Sequence, residues 1–244
     1  MPFAFAQDFF ISKTDDANNI IFDGKWTFEY EWKRSSFYQV DDNDGQIMVR
    51  LSHDFKNIYI LLDVLSDKTK SHLGDSAIIC FDTKNNSGQY IQDDDFCFQA
   101  VMDSKNSKMF QGGGDFGSNG NLRKIESHSE LITIGGFSDH NDRYSNIPHA
   151  TYEYKIPIEI LGRSDVYGFY VQVFDDNTDS RFTYPPGITN QKFPFIASPD
   201  KWGKIISPDK SIPEFEYPVI MMIVIIIPII LFSKKLKSLR MSIQ

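Results

Sequence analysis

The sequence lacks the motifs that identify most enzymes and the repeats that identify elongated folds. It has no G-x-S-x-G, H-E-x-x-H or Walker A pattern, so the common hydrolase, metalloprotease and phosphate-loop families gain no support. No heptads, no repeat of roughly 20–50 residues and no long amphipathic helix pattern are present, which excludes coiled coils and solenoids. We therefore expect a protein that is not an enzyme.

Positive charge is scarce except at the C-terminus. Residues 1–218 contain 33 acidic and 21 basic residues, whereas residues 219–244 contain four basic and no acidic residues. An acidic surface of this kind repels phosphate backbones. Nucleic acid is therefore not an expected partner. Such a surface is instead compatible with cations or neutral ligands.

Cysteine is limited to Cys80 and Cys97, which both lie in apolar runs typical of strands. In an oxidising compartment the two thiols could form one disulfide, and in a reducing compartment they would be two small buried residues. The register of the strands decides between these alternatives, and the sequence leaves that register open.

A long apolar segment, by contrast, is present near the C-terminus. Residues 217–232 contain no charge and precede a basic tail, residues 233–244. This pattern predicts one transmembrane helix with the tail in the cytoplasm. The segment spans only about 24 Å against a hydrocarbon core of about 30 Å, a gap that snorkelling lysines narrow. We therefore predict a protein of the cell membrane whose ectodomain lies outside.

The N-terminus has the end of a secretory signal without its beginning. Ala4-Phe5-Ala6 matches an A-x-A cleavage site, but no basic region or apolar core precedes it. We interpret residues 1–6 as the remnant of a signal peptide, with Met1 inside the signal. Residues 7–206 are then the ectodomain, and residues 207–216 link it to the membrane.

Short segments with strand patterns fill the ectodomain. The clearest is WTFEYEW, residues 26–32, in which aromatic and polar residues alternate strictly. Residues 156–162 predict a single helical turn ended by glycine. Without longer helices between the strands, the pattern predicts an all-β fold, an antiparallel two-sheet β-sandwich of jelly-roll type. The remaining predicted strands are residues 46–52, 58–64, 76–82, 95–101, 130–137, 150–156, 167–175 and 202–206.

Three blocks of the ectodomain, in this order, resemble a known family. They are Asp23-Gly24 with Trp26 and residues 54–67, then residues 74–88 with 93–103, then residues 152–162 with 167–177. Together they resemble carbohydrate-binding module family 9 and its DOMON-like relatives over about residues 20–206. The resemblance implies a β-sandwich that binds sugars in some branches and haem in others, often with structural calcium.

The C-terminal segment carries a second resemblance. Pro213-Glu214-Phe215, followed by the apolar segment and the basic tail, resembles the tripartite signals read by archaeal sortase-like transpeptidases. The resemblance implies that the tail is cut near this box and replaced by another anchor. A permanent membrane anchor is the alternative, and both stay open.

Candidate ligand-binding residues are aromatic side chains that can stack on sugar rings and polar side chains that can bind hydroxyls. For Trp26 and Trp32, packing in the core is the alternative. The candidates are Trp26, Trp32, Asp175, Asn177, Arg181, Tyr184 and Trp202.

Calcium is the one metal for which we name candidate ligands, Asp93, Asp94 and Asp95, although solvated turn residues would give the same pattern. No other cofactor is expected, and haem is a minor alternative. We predict a membrane-anchored extracellular domain that binds a cell-surface or environmental polysaccharide. The alternatives are a haem-binding redox module on the same fold and a structural protein with partners in the cell envelope.

Overall fold

The computed structural model of the protein describes residues 7–42, 45–114, 122–189 and 196–208. These residues form short strands joined by turns, with one α-helical turn, α1, at Ile158–Leu161 and two short 3-10 helices at Ala17–Asn19 and Pro199–Lys201. The strands are β1 (Phe9–Phe10), β2 (Ser12–Lys13), β3 (Ser36–Asp42), β4 (Gly45–His53), β5 (Asn57–Val64), β6 (Ser76–Asp82), β7 (Asp95–Val101), β8 (Lys108–Gln111), β9 (Arg123–Ile125), β10 (Ile132–Phe137), β11 (Ala150–Pro157), β12 (Val166–Asp175), β13 (Ser180–Tyr184) and β14 (Gly203–Ile206).

The strands form two sheets. The first sheet has eight strands in the order β1-β14-β12-β6-β7-β8-β9, with β13 also paired to β12. The second sheet has six strands in the order β10-β11-β5-β4-β2, with β3 also paired to β4. Most pairs are antiparallel, as predicted, but β1 runs parallel to β14 and β2 runs parallel to β4. Both sheets are therefore mixed.

The two sheets pack face to face through one continuous apolar core. Because side chains alternate along a strand, one side of each sheet supplies this core. On β4 the inward residues are Ile47, Val49 and Leu51, and on β6 they include Ile79 and Phe81. The predicted sandwich is thus confirmed for the described residues.

The outer faces of both sheets are also covered. Segment 14–35 lies on the outer face of the second sheet, where Trp32 packs with Tyr59 and Leu61 of β5. On the outer face of the first sheet, Trp202 packs in a cluster that contains Tyr170. Ligands therefore have little access to the flat faces of the sandwich.

Cys80 and Cys97 form a disulfide bond. The two residues are directly opposite each other in the antiparallel pair of β6 and β7. The register that the sequence left open therefore brings the thiols together. The bond lies on the outer face of the first sheet, beside Tyr170.

The strand predicted at residues 26–32 is wrong. This segment is a loop with tight turns, in which Trp32 is buried whereas Phe28 and Tyr30 are exposed. The carboxylate of Glu31 accepts hydrogen bonds from the amides of Thr27 (2.8 Å) and Phe28 (3.1 Å). Those amides therefore bond within the segment instead of to a neighbouring strand. The other predicted strands are present, and α1 with Gly162 after it confirms the predicted helical turn.

Several predictions fall outside the described residues. They concern the signal remnant at residues 1–6, Pro213-Glu214-Phe215, the apolar segment 217–232 and the basic tail 233–244. Within the described ranges, no helix has the length and apolar character needed to cross a membrane.

Candidate ligand and metal sites

Trp26 and Trp32 lie together on the outer face of the second sheet. Trp32 is fully buried, and its indole Nε1 donates a hydrogen bond to Glu153 at 3.3 Å. Trp26 is 9% exposed, and the guanidinium groups of Arg50 and Arg143 lie 5.3 and 4.5 Å from its ring centre. Both rings therefore pack against protein groups.

Tyr184 lies in β13 and Trp202 directly before β14, and both are also buried. The Tyr184 ring stacks on Phe9 at 4.0 Å, and its hydroxyl donates to the carbonyl of Gln7 at 2.6 Å. Trp202 stacks on Tyr170 at 5.9 Å. Their stacking partners are thus aromatic side chains of the protein.

Asp175, Asn177 and Arg181 meet at the β12–β13 hairpin. Buried Asp175 accepts hydrogen bonds from the amides of Asn177 (2.9 Å) and Thr178 (3.2 Å), which closes the turn. Asn177 is exposed, and Arg181 pairs with Asp179 at 3.2 Å. The structure therefore joins these three candidates in one turn, while Trp26 and Trp32 lie on the other sheet. Their role in ligand binding stays a prediction.

An exposed aromatic site that the sequence did not indicate lies at Tyr30. The Tyr30 ring is 65% exposed and borders a depression of about 410 Å³. Arg34 pairs with Asp16 at its side (Nε to Oδ2, 3.1 Å), and Asn19 and Lys33 complete the lining. The site combines a flat apolar surface with donors and acceptors, which is the chemistry that sugar binding needs.

Two buried carboxylates build the loop that carries Tyr30. Glu31 holds the turn from within, and Glu153 of β11 accepts hydrogen bonds from the amides of Asp23 (3.0 Å) and Gly24 (2.7 Å). Burial raises the pKa of Glu153 to about 8, and the charges of Asp23 and Glu31 add to this effect. The position of Tyr30 thus depends on Glu153, which is far away in sequence. For this reason the alternation in residues 26–32 did not indicate an exposed ring.

Three buried aspartates, Asp67, Asp75 and Asp175, form a cluster that we call the aspartate triad. One ligand atom of each lies within 4.8 Å of the other two. Oδ2 of Asp67 and the hydroxyl of Tyr152 are buried without a hydrogen-bond partner among the described residues. Burial, with the charges of Asp75 and Asp175, raises the pKa of Asp67 to about 7. Such an oxygen-only donor set fits a hard cation such as calcium.

The predicted calcium ligands lie in a second acidic group. Asp93 is exposed, but Asp94 and Asp95 are buried beside Asp82. Each of these three buried side chains has one oxygen, Oδ1, without a hydrogen-bond partner among the described residues. Burial raises the pKa of Asp95 to about 7, and the charges of Asp82 and Asp94 contribute. We call Asp82, Asp94 and Asp95 the hairpin cluster. Its unsatisfied oxygens need a positive partner, but its members do not bring one ligand atom each within 4.8 Å of one another, as those of the triad do.

Comparison with known proteins shows similarity at the level of fold. No protein-family model matches the chain, and no curated protein matches it in sequence. Among solved structures, a carbohydrate binding module family 9 (CBM9) from Caldicellulosiruptor kristjanssonii in complex with cellotriose is similar. Its TM-score is 0.51 at 14% identity, over 82% of this chain and 93% of that chain. A CBM9 from the same organism in complex with glucose has a TM-score of 0.49 at 14% identity, over 82% and 95%. The described residues therefore have a CBM9-like β-sandwich fold.

Proposed function

We propose that this chain is a membrane-anchored, non-catalytic carbohydrate-binding domain that faces the outside of the cell. Its fold is similar to that of a module solved with cellotriose, which supports this class of ligand. The observation that carries the proposal is the depression at Tyr30. There an exposed aromatic ring lies beside the Asp16–Arg34 pair and Asn19.

Four of the five residues that line this depression can contact a sugar directly, while Lys33 holds its ammonium 5.3 Å from the centre of the Tyr30 ring. The ring of Tyr30 offers an apolar face to the C–H groups of a pyranose. The guanidinium of Arg34 donates to hydroxyl oxygens, whereas the carboxylate of Asp16 accepts from hydroxyl groups. Asn19 can do both. The volume of about 410 Å³ accommodates one or two sugar rings.

The proposal is tested by titrating the full chain with sugars in a detergent that carries no sugar headgroup. Calorimetry with cellotriose and a panel of polysaccharides is expected to give micromolar-to-millimolar dissociation constants. Tyr30→Ala is expected to weaken binding at least about tenfold, because it removes the stacking surface, a loss of about 1.4 kcal/mol. Tyr90→Ala is the matched control, since Tyr90 is comparably exposed at 60% and does not line this depression.

Two results would count against the proposal. If the folded chain binds none of the glycans at millimolar concentration, carbohydrate binding is rejected. If a glycan binds equally well to wild type and Tyr30→Ala, the site is elsewhere. Capture of a surface protein by a chain that binds no glycan would favour a structural role in the cell envelope.

Anchoring is proposed from the sequence of the C-terminal region. The uncharged segment 217–232 and the basic tail support a membrane attachment with the ectodomain outside. Mass spectrometry of the protein from its native membrane separates the two forms of attachment. An intact tail supports a permanent anchor, whereas a chain that ends near Pro213 supports processing and replacement.

Structural calcium is part of the proposal because the aspartate triad fits it. Its three ligand atoms converge, and Oδ2 of Asp67 is buried without a hydrogen-bond donor among the described residues. The hairpin cluster also has such oxygens, but its ligand atoms do not converge in the same way. Bound calcium would supply the positive charge that these carboxylates need when ionised. The triad would then join the loop before β6 to the end of β12.

A further inference from the structure

A cluster with a different donor set lies between β5 and the loop that precedes β11. Asp63 of β5 and His149 are fully buried, and the side chain of Asp142 is 2% exposed. One ligand atom of each lies within 4.8 Å of the other two. We propose that Asp63, Asp142 and His149 bind one zinc-type transition-metal ion, which fastens loop 138–149 to the second sheet.

A backbone carbonyl determines which nitrogen of a neutral His149 ring carries the proton. Its Nδ1 lies 2.7 Å from the carbonyl oxygen of Ile147, which can only accept a hydrogen bond. In the neutral ring the proton is therefore on Nδ1, and Nε2 carries a lone pair. A hydrogen bond from the distal ring nitrogen to a backbone carbonyl is the usual arrangement of a metal-binding histidine.

The other ring nitrogen, Nε2, lies among carboxylate oxygens. Nε2 contacts Oδ1 of Asp63 and lies 3.7 Å from Oδ1 of Asp142. With a neutral ring, an imidazole lone pair and two carboxylates face one another, and all three are acceptors. In addition, Oδ2 of Asp63 is buried with no hydrogen-bond partner among the described residues. A cation bound by these groups would satisfy all of them once the direct contact between Nε2 and Oδ1 of Asp63 opens.

The position of Asp142 is fixed before any ion binds. Its Oδ1 accepts hydrogen bonds from the amides of Tyr144 (2.8 Å) and Ser145 (3.1 Å). The loop therefore points this carboxylate at His149, as a preformed ligand would be held. Because residues 139–148 are largely exposed, an ion can enter from the loop side.

The donor set selects the type of metal. Zinc binds imidazole nitrogen and carboxylate oxygen at about 2.0–2.2 Å, so that two ligands of a tetrahedral ion lie roughly 3.4 Å apart. The 3.7 Å between His149 Nε2 and Asp142 Oδ1 is close to this value. Oδ1 of Asp63 contacts Nε2 directly, so this contact must open when the ion enters. Calcium prefers oxygen alone, so this site and the aspartate triad are expected to take different ions.

The competing explanation is a buried ion pair in which His149 carries two protons. That arrangement leaves the three groups with a net charge of −1, whereas a dication with neutral histidine leaves no net charge. Burial of an uncompensated charge is costly. The two explanations differ in whether the folded chain takes up metal.

The test is a titration of the full, chelator-stripped chain with Co²⁺, a spectroscopic substitute for Zn²⁺. We expect one equivalent to bind with visible absorption bands, Zn²⁺ to abolish these bands, and excess Ca²⁺ to leave them unchanged. A folded chain that shows no bands and retains no zinc after dialysis would overturn the proposal in favour of the ion pair.

Asp142→Asn is the diagnostic variant, because the amide oxygen can still accept the hydrogen bonds of the loop while the charge is lost. We expect its Co²⁺ affinity to fall at least about tenfold. Asp139→Asn is the matched control in the same loop, since Asp139 pairs with Lys25 at 2.8 Å outside the cluster. Equal affinity of wild type and Asp142→Asn would contradict the assignment. If Asp142→Asn does not fold, the wild-type titration decides alone.

Discussion

Among single residues, Glu153 gives the fold a dependence on pH. Burial raises the pKa of its carboxyl to about 8 from an ordinary value of 4.5. Between these two pH values the folded chain keeps a proton that the unfolded chain releases. The contribution of Glu153 to stability is therefore fully present below pH 4.5 and is lost as pH rises towards 8.

The first prediction concerns this dependence. Glu153→Gln removes the titrating group, so the free energy of unfolding should fall less steeply between pH 5 and pH 8 than in wild type. The difference should be on the order of 3 kcal/mol over this range. Urea unfolding at a series of pH values measures it. Glu130→Gln, a change at an exposed ion pair with Lys155, should leave the slope unchanged. Parallel slopes for wild type and Glu153→Gln would contradict the prediction.

Among the structural elements, segment 14–35 is attached to the second sheet by close backbone contacts. Gly24 has a positive φ of 89°, and a Cβ atom there would lie 2.8 Å from Cα of Gly136 in β10. Its amide also donates to Glu153 at 2.7 Å. The loop that carries Tyr30 therefore depends on the absence of a side chain at this residue.

The second prediction compares two glycines with positive φ. Gly162 has φ 71° and ψ 161°, but no atom lies within 4 Å of its added Cβ. We expect Gly162→Ala to cost about 2 kcal/mol through its backbone conformation alone, because side chains rarely tolerate this region. Gly24→Ala should cost about 3 kcal/mol, because overpacking adds to the penalty of its positive φ. Chemical denaturation measures both, and equal losses would show that the contact with Gly136 has no energetic effect.

At the scale of the whole molecule, stability should depend on calcium and pH together. The pKa values of Asp67 and Asp95 are raised to about 7 by burial. Without a cation, their contribution is therefore fully present below the ordinary pKa of about 3.8 and is lost as pH rises towards 7. A bound cation favours the ionised carboxylates, so it should offset this loss mainly at neutral pH.

The third prediction is that calcium raises the melting temperature at pH 7.5 and has little effect at pH 5. A concentration of 100 times the dissociation constant stabilises by about 2.7 kcal/mol, or very roughly 5–10 °C for a domain of this size. Differential scanning calorimetry in calcium or in chelator measures it. Asp67→Asn should reduce the shift, and Asp93→Asn, at an exposed aspartate, should not. An equal shift at both pH values would be inconsistent with carboxylate ligands of raised pKa.

Local patterns in the chain were enough to predict most of the sandwich. Alternation in residues 46–52 located β4, and the apolar runs at 58–64 and 76–82 located β5 and β6. These patterns are reliable where one face of a strand packs against the core, because every second side chain must then be apolar. Short strands such as β1 and β9 bury few residues and carry no such pattern.

Non-local contacts decided where the candidate sites lie. Residues 26–32 alternate like a strand. However, Glu153, more than a hundred residues later in the chain, accepts hydrogen bonds from the amides of Asp23 and Gly24 and holds the segment as a loop. Tyr30 became exposed as a result. In the same way, Asp63, Asp142 and His149 meet only because β5 pairs with β11. The sequence was enough to predict the two sheets, because the burial of each strand residue depends on its own side chain. The sites depend on tertiary structure, because they form only where distant strands pair and where buried carboxylates accept hydrogen bonds from distant amides.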